Sequence, residues 1–190
     1  MTTAFVLGNG LSRKELNLET LRPYGTIYGC NALYRDFAPD VLVATDTAIG
    51  QSIQHSGYAL ANCFYTRKPL PDLGARFIPE ECWTYSSGPV AAYLAASNNH
   101  SPVYLLGFDM GPTSTGHFNN IYADTEFYKK SSAVPTYTGN WIDQIASISK
   151  KFANIQFIRV VGPTTADIAA LSSLHNLVNQ PISEFQKTYK

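Results

Sequence analysis

Short apolar and β-branched runs alternate along this chain with stretches of helical pattern. The runs predict strands near residues 3–7, 26–30, 41–44, 62–65, 103–106 and 155–160. The stretches between them predict helices near 13–20, 47–54, 88–98, 139–152 and 166–173. This alternation is typical of an α/β domain with a mostly parallel sheet and helices on both faces. We therefore expect one Rossmann-like domain over residues 1–180, followed by a short tail helix over 181–190 that serves docking or oligomerisation.

Three segments refine this picture. Val103–Leu106 is continuously apolar, as expected for a parallel strand that is buried on both faces. The stretch 88–97 is rich in alanine, which suits a helix packed closely on such a sheet. The span 107–138 is rich in Gly, Pro, Ser, Thr, Asn and Tyr and has few helix or strand signals. Long irregular segments in compact domains are usually functional, so we predict a lid there.

The first strand leads directly into Gly8, Asn9, Gly10, Leu11 and Ser12. Glycines let a backbone approach a ligand closely, and a helix N-terminus offers free N–H groups and a positive dipole end. The pattern therefore predicts a phosphate-binding turn, with Ser12 capping the next helix and Asn9 pointing into the site. It is neither a complete dinucleotide fingerprint nor a P-loop, whose lysine is missing. The alternative is a tight turn that binds nothing.

Polar residues also follow the other predicted strands. Asn31, Asp46 and Asp109 each stand at or just after a strand end, and Ser87-Gly88 opens a predicted helix. Open parallel sheets bind ligands beyond the carboxyl ends of their strands. Together with Asn9, these residues predict one binding site at that edge.

Composition narrows the range of partners. The 14 basic and 14 acidic residues cancel, so charge gives no case for nucleic acid or an anionic membrane as the main partner. The 3 cysteines are scattered and form no C-x-x-C pair, which argues against a disulfide framework or a zinc site. We see no secretory leader or membrane-spanning run, and we expect a cytoplasmic protein. The 12 tyrosines could serve binding or contacts within a homo-oligomer.

These motifs resemble those of the bacterial sialyltransferases of glycosyltransferase family 42. They are also similar to the motility-accessory-factor and archaeal hydroxymethylpterin pyrophosphokinase-like families. The likeness rests on short motifs and covers most of the chain: Gly8-Asn9-Gly10-Leu11-Ser12, Cys30-Asn31, Pro39-Asp40 with Asp46, Ser87-Gly88, and Leu106-Gly107-Phe108-Asp109. Leu11 stands where the family usually has proline.

The resemblance implies a metal-independent glycosyl transfer from a nucleotide-sugar, with no cofactor. Asn9, Asn31 and Ser87-Gly88 would contact the nucleotide, in a pocket to which Gly8, Gly10, Ser12 and Asp109 also belong. Tyr122 and Tyr128 would hydrogen-bond the departing phosphate.

One position departs from that pattern. The family's general base is a histidine after the lid, where this chain has Asn140, and an amide cannot accept a proton at neutral pH. His117, inside the lid, is the candidate substitute. The alternative is a solvated loop histidine.

Two other functions stay open. A diphosphate-transferring enzyme would use Mg-ATP, with Asp46 and Asp109 as metal ligands. Alternatively, either carboxylate caps a helix or supports a turn. The second possibility is a nucleotide-binding protein without catalysis, which the missing histidine would allow.

Overall fold

The computed structural model describes residues 1–189 and confirms the α/β class. A sheet of 8 strands runs through it in the order β5-β4-β3-β2-β1-β6-β7-β8, and every neighbouring pair is parallel. The strands are β1 (Thr3–Leu7), β2 (Gly25–Cys30), β3 (Val41–Ala44), β4 (Phe64–Thr66), β5 (Arg76–Phe77), β6 (Val103–Leu106), β7 (Phe157–Val161) and β8 (Leu177–Pro181).

Helices connect the strands. The α-helices are α1 (Thr47–His55), α2 (Tyr58–Ala61), α3 (Ser87–Ser97), α4 (Gly139–Lys151), α5 (Ala169–Ser172) and α6 (Ile182–Thr188). Short 3-10 helices cover Leu11–Arg13, Leu18–Leu21, Asn31–Arg35 and Glu80–Cys82. Among residues 1–189, no helix combines the length and the apolar character that crossing a membrane requires.

Each face of the sheet carries its own apolar core. Alternate residues of β1 point to opposite faces, so Ala4 and Val6 join one core while Phe5 and Leu7 join the other. The first core includes α3, α4 and α5, and the second includes α1, α2 and α6. Helix α3 is buried along most of its length, which fits the alanine-rich sequence that predicted close packing. Val103–Leu106 is fully buried as β6, as expected.

The predicted first helix, 13–20, is wrong. Its residues form two separate 3-10 turns, and Asn17 accepts a hydrogen bond from the Glu19 N–H to begin the second turn. An α-helix of this length is costly to nucleate, and here the Arg13 side chain turns inward instead of lying on a helix surface. The predicted helix 166–173 is also shorter, spanning Ala169–Ser172.

The sheet has two strands that the hydrophobic pattern did not predict. Strand β5 has only 2 residues, both exposed. Strand β8 contains Asn179, Gln180 and Pro181, an unfavourable composition that is tolerated because β8 is an edge strand. The span 107–138, predicted as a lid, contains no helix or strand and folds through turns.

The strand order places the reversal of winding at the centre of the sheet. From β1 the chain moves outward through β2, β3, β4 and β5, and it then crosses to β6 on the other side of β1. The carboxyl ends of β1 and β6 therefore meet side by side, with Gly8 N–H donating to Leu106 O at 2.8 Å. Such a switch point opens a crevice between the two loops.

Candidate functional site

A cavity of about 490 Å³ lies at the carboxyl edge of the sheet, over the switch point. Eight of the predicted site residues line it: Gly8, Asn9, Gly10, Asn31, Ser87, Gly88, Asp109 and Tyr128. Three others, Ser12, His117 and Tyr122, are not part of its lining. Asp46, the alternative metal ligand, also lines the cavity. A volume of this size suits a small-molecule ligand.

The glycines after β1 are required by a close approach of two loops. A Cβ on Gly8 would lie 2.6 Å from Gly107 O, and one on Gly10 would lie 2.5 Å from the Asp109 Cγ. Gly10 N–H donates to Gly107 O at 2.9 Å. The loops after β1 and β6 therefore pack directly on each other. Only a single 3-10 turn follows, so the predicted long helix N-terminus is absent at this loop.

Arg13 fixes the orientation of Asn9. Its buried guanidinium donates through Nε to Gly8 O and through Nη2 to Asn9 Oδ1, the latter at 3.2 Å. Since a guanidinium is only a donor, the amide oxygen of Asn9 must face it. Asn9 Nδ2 consequently points the other way, to Tyr128 Oη at 3.4 Å. Arg13 therefore holds the loop after β1 in place and orients the Asn9 side chain.

A chain of hydrogen bonds sets the Asn31 side chain. Thr45 N–H donates to Ser87 Oγ at 2.9 Å, and Ser87 Oγ donates to Asn31 Oδ1 at 2.8 Å. Asn31 adopts a left-handed backbone conformation with φ of 53°, which asparagine tolerates better than most residues. Its Nδ2 group has no hydrogen-bond partner among residues 1–189 and is left as a donor at the cavity.

Tyr128 presents a phenol proton to the cavity. Its Oη receives hydrogen bonds from Asn9 Nδ2 and from Ala32 N–H at 3.3 Å. Both partners are donors, so the phenol's own proton is available to a third group. Burial raises the pKa of Tyr128, and the hydroxyl stays protonated at any physiological pH.

Tyr122 lies behind Tyr128. The two rings are 5.7 Å apart between centroids, and Tyr122 is 5% exposed within one of the two cores. Burial raises the pKa of Tyr122 to about 12. Tyr122 packs against the Tyr128 ring. Of the two tyrosines predicted to bind phosphate, Tyr128 lines the cavity and Tyr122 does not.

Ser12 and Asp109 form a bracing contact. The Asp109 carboxylate is 3% exposed and accepts from Ser12 N–H at 3.0 Å, from Ser12 Oγ, from Thr164 Oγ1 at 2.7 Å and from Thr165 Oγ1 at 3.4 Å. The sequence predicted that Ser12 caps the next helix, and this is wrong because the Ser12 hydroxyl donates to Asp109. Asp109 joins the loop after β1 to the loop after β7.

His117, the predicted base candidate, does not line the cavity, and neither does Asn140. His117 is exposed in a turn, where its Nδ1 lies 3.0 Å from Thr115 Oγ1. Asn140 is exposed near the start of α4 and is not among the lining residues. Cys30 does line the cavity, but its buried thiol donates to Leu7 O at 3.3 Å, and burial raises its pKa to about 12. It is therefore not a nucleophile near neutral pH.

The electrostatics of the cavity favour an anion. The first residues of α3 line it; Pro89 has no N–H, so the free donors of this turn are the Ser87 and Gly88 N–H groups. Thr138, before α4, and Asp46, before α1, also line the cavity, so three helix N-termini face it. Their positive dipole ends favour an anion, except beside α1, where the Asp46 carboxylate carries a negative charge.

Two cationic side chains line the cavity, and the sequence does not predict that they meet there. Arg67 lines it and donates to the carbonyl oxygens of Thr45, Trp83 and Tyr85 at 3.0, 2.7 and 2.6 Å. Lys129, in the span 107–138, lines it on another side. Among residues 1–189, the ion pairs are Arg22–Glu19 and Lys151–Glu81, so neither cavity cation is neutralised by a carboxylate. No local motif marks Arg67, because tertiary packing alone brings it to the site.

The metal-binding alternative lacks an assembled set of ligands. Asp109 is occupied by hydroxyl and N–H donors, which leaves Asp46 as the cavity carboxylate with free oxygens. Residues 1–189 contain no cluster of three or more His, Cys, Asp or Glu side chains placed to hold a metal ion. A magnesium ion in the cavity would therefore have Asp46 as its single side-chain ligand, and substrate phosphates would have to supply the other ligands.

Comparison with solved structures identifies one clear likeness. The chain superposes on the MAf glycosyltransferase from Magnetospirillum magneticum AMB-1 with a TM-score of 0.50 and 16% sequence identity. The likeness is one of fold. It covers 93% of this chain and 35% of that protein, so this chain spans about a third of its length. No protein-family model and no curated protein sequence matches the chain. The likeness therefore shows a shared fold, and the resemblance to particular families stays a prediction.

Proposed function

We propose that this protein binds a nucleotide-activated sugar in the cavity and transfers the sugar by direct displacement, without a metal. One observation carries the proposal: uncommitted hydrogen-bond donors converge on a cavity at the switch point. They come from Asn31 Nδ2, the Tyr128 hydroxyl and the first turn of α3. The fold shared with a glycosyltransferase supports sugar transfer as the reaction. Cytidine nucleotides are the first candidates, because the sequence motifs resemble those of sialyltransferases.

Each group has a distinct part in the proposed reaction. The α3 N-terminus and the Asn31 amide bind phosphate oxygens of the donor. Tyr128 donates its proton as a hydrogen bond to the oxygen on which charge develops when the bond to the sugar breaks. Arg67 and Lys129 add positive potential without entering a tight ion pair. We place the activity in the cytoplasm, which agrees with the three free thiols.

The second candidate is a nucleotide-binding protein without catalysis. Asn140 occupies the position at which the resembling family has its base, and His117 lies outside the cavity lining. This candidate shares the binding step with the first and differs only in turnover.

Thermal shift against cytidine, uridine, adenosine and guanosine nucleotides, each with magnesium and with EDTA, tests the binding step. A ligand at about 100 times its dissociation constant adds about 2.7 kcal/mol, which raises the Tm of a domain of this size by about 5–10 °C. We expect a shift that EDTA leaves unchanged. A shift that requires magnesium would favour the diphosphate-transfer alternative, and no shift with any nucleotide would contradict the proposal.

A matched pair of variants locates the site. Asn31→Asp keeps the size of the side chain and places a negative charge at the proposed phosphate, so the nucleotide shift should disappear. Asn154→Asp makes the same change at an exposed position away from the cavity and should retain the shift. Turnover of a matching nucleotide-sugar to free nucleotide then separates transfer from binding alone.

A further inference from the structure

Asp46 is an uncommitted carboxylate at the cavity. It lies two positions after the end of β3, it is exposed, and it lines the cavity. It stands at the N-cap position of α1, yet its side chain makes no capping hydrogen bond. Among residues 1–189 it has no hydrogen-bond or ion-pair partner for its carboxylate oxygens. The structural role that usually explains an aspartate at this position is therefore not observed.

The charge of Asp46 sets it apart from its neighbours. The Ser87 and Gly88 N–H groups, the Asn31 amide and the Tyr128 hydroxyl are all donors, as a phosphate requires. A free carboxylate repels phosphate and accepts hydrogen bonds from hydroxyl groups. Asp46 is therefore suited to the part of the substrates that carries hydroxyls.

The proposed transfer also needs a proton acceptor within the cavity. Asn140 and His117 do not line it, and Cys30 holds its proton too tightly to exchange it. Asp109 is buried under four donor contacts. We infer that Asp46 is the general base that activates the acceptor hydroxyl, an inference that rests on the proposed function.

The step balances as a single displacement. The acceptor oxygen bonds to the anomeric carbon of the donor sugar while the bond from that carbon to the phosphate oxygen breaks. The bonding electrons leave with the nucleotide phosphate, towards the Tyr128 hydroxyl. The acceptor's proton passes to the Asp46 carboxylate and is later released to water. With water as the acceptor, the products are the free sugar and the nucleotide.

The test compares binding with turnover in Asp46→Asn, Asp46→Ala and the control Asp143→Asn, which changes an exposed carboxylate on α4 away from the cavity. The probes are CMP, UDP and GDP for binding, and CMP-N-acetylneuraminate, UDP-N-acetylglucosamine and GDP-mannose for release of nucleotide. We expect Asp46→Asn to bind nucleotide like the wild type and to lose about 10²–10⁴-fold in kcat, as removal of a general base predicts. Added formate should restore turnover to Asp46→Ala in proportion to its concentration, which a merely structural role would not produce.

Each remaining outcome counts against the inference. If the wild type releases nucleotide and Asp46→Asn stays within about threefold of its kcat, Asp46 is not the base, while the proposed transfer stands. A wild type that binds nucleotide but turns over no donor overturns the base assignment and leaves a binding protein. A wild type that binds no nucleotide overturns this inference and the proposed function together.

Discussion

The hydroxyl of Tyr128 can be tested separately from its ring. Tyr128→Phe keeps the ring against Tyr122 and removes the one proton that the phenol offers to the cavity. A hydrogen bond to a charged group contributes about 1.5–3 kcal/mol, so we expect nucleotide affinity to fall about 10- to 100-fold. Isothermal titration calorimetry measures the change.

Tyr122→Phe is the matched control. Tyr122 is buried behind Tyr128 and does not line the cavity, so its variant should keep a dissociation constant within about threefold of the wild type. Equal losses in both variants would mean that Tyr122 reaches the ligand in the bound state, as the sequence resemblance implied.

Cys30 gives a prediction for alkaline solution. Its thiol has an ordinary pKa of 9.0 that burial raises to about 12 in the folded protein. Between these values the unfolded chain loses the proton and the folded chain keeps it, so stability falls as pH rises, by about 1.4 kcal/mol per pH unit. Urea denaturation from pH 8 to about 10.5 should show this decline, and Cys30→Ser should decline less steeply. If the free energy of unfolding declined equally with pH in the two proteins, burial would not raise the pKa of the Cys30 thiol. Cys82, whose pKa burial also raises to about 12, retains its contribution in both.

At the scale of single residues, the sequence predicts the site better than it predicts what each residue does. Asn9 and Asn31 follow strand ends and Ser87 begins a helix, and parallel strands bring their carboxyl ends to one edge, so the sequence predicts that these residues converge. The contacts of Asp109 could not be predicted, because they depend on which hydroxyl groups the fold brings near it. Thr164 and Thr165 reach Asp109 from a loop more than fifty positions away.

Between elements, the central contact is the approach of the loops after β1 and β6. Gly107 has a φ of 70°, and a Cβ there would lie 2.8 Å from Gly8 O and 3.0 Å from Arg13 Cγ. Gly107→Ala should destabilise the protein by about 3 kcal/mol, from backbone strain plus displacement of the Gly8 loop. Chemical denaturation measures this free energy of unfolding.

Gly116 isolates the backbone part of that cost. It has a φ of 78°, and a Cβ there would meet nothing within 4 Å. Gly116→Ala should therefore cost only about 1 kcal/mol. If Gly107→Ala proved no more destabilising than Gly116→Ala, the two loops would not pack as closely as the structure has them.

The elements that could be predicted are those with a strong apolar signal. The strands at 3–7, 41–44 and 103–106 have the bounds that the sequence predicts, because buried parallel strands are continuous apolar runs. Strand β8 contains polar residues and a proline, so it depends on pairing with β7. The predicted first helix, 13–20, is wrong because tertiary contacts also decide the structure there. Its helical pattern is overridden when Arg13 turns in to hold the Gly8 loop.

For the molecule as a whole, the C-terminal helix completes the domain. The sequence predicts a tail helix for docking or oligomerisation. In the structure α6 packs on the sheet of its own chain, and a role in docking or oligomerisation stays a prediction. Phe185 is 1% exposed, with its ring 5.4 Å from Tyr104 and 6.1 Å from Phe5 between centroids. The sheet face around β1 and β6 would otherwise be open to water.

Phe185→Ala tests whether α6 is part of the folding unit. Removing a buried phenylalanine costs about 3–5 kcal/mol, a large share of the roughly 5–15 kcal/mol that stabilises a domain. We expect a single cooperative transition with a Tm lowered by about 10 °C, since about 2–4 °C are lost per kcal/mol at this size. Gln186→Ala, exposed on the same helix, should change the free energy of unfolding by less than about 0.5 kcal/mol. A Phe185→Ala protein with an unchanged Tm would mean that α6 detaches without loss in solution. Its apolar face would then be free for another chain, as the sequence alone suggested.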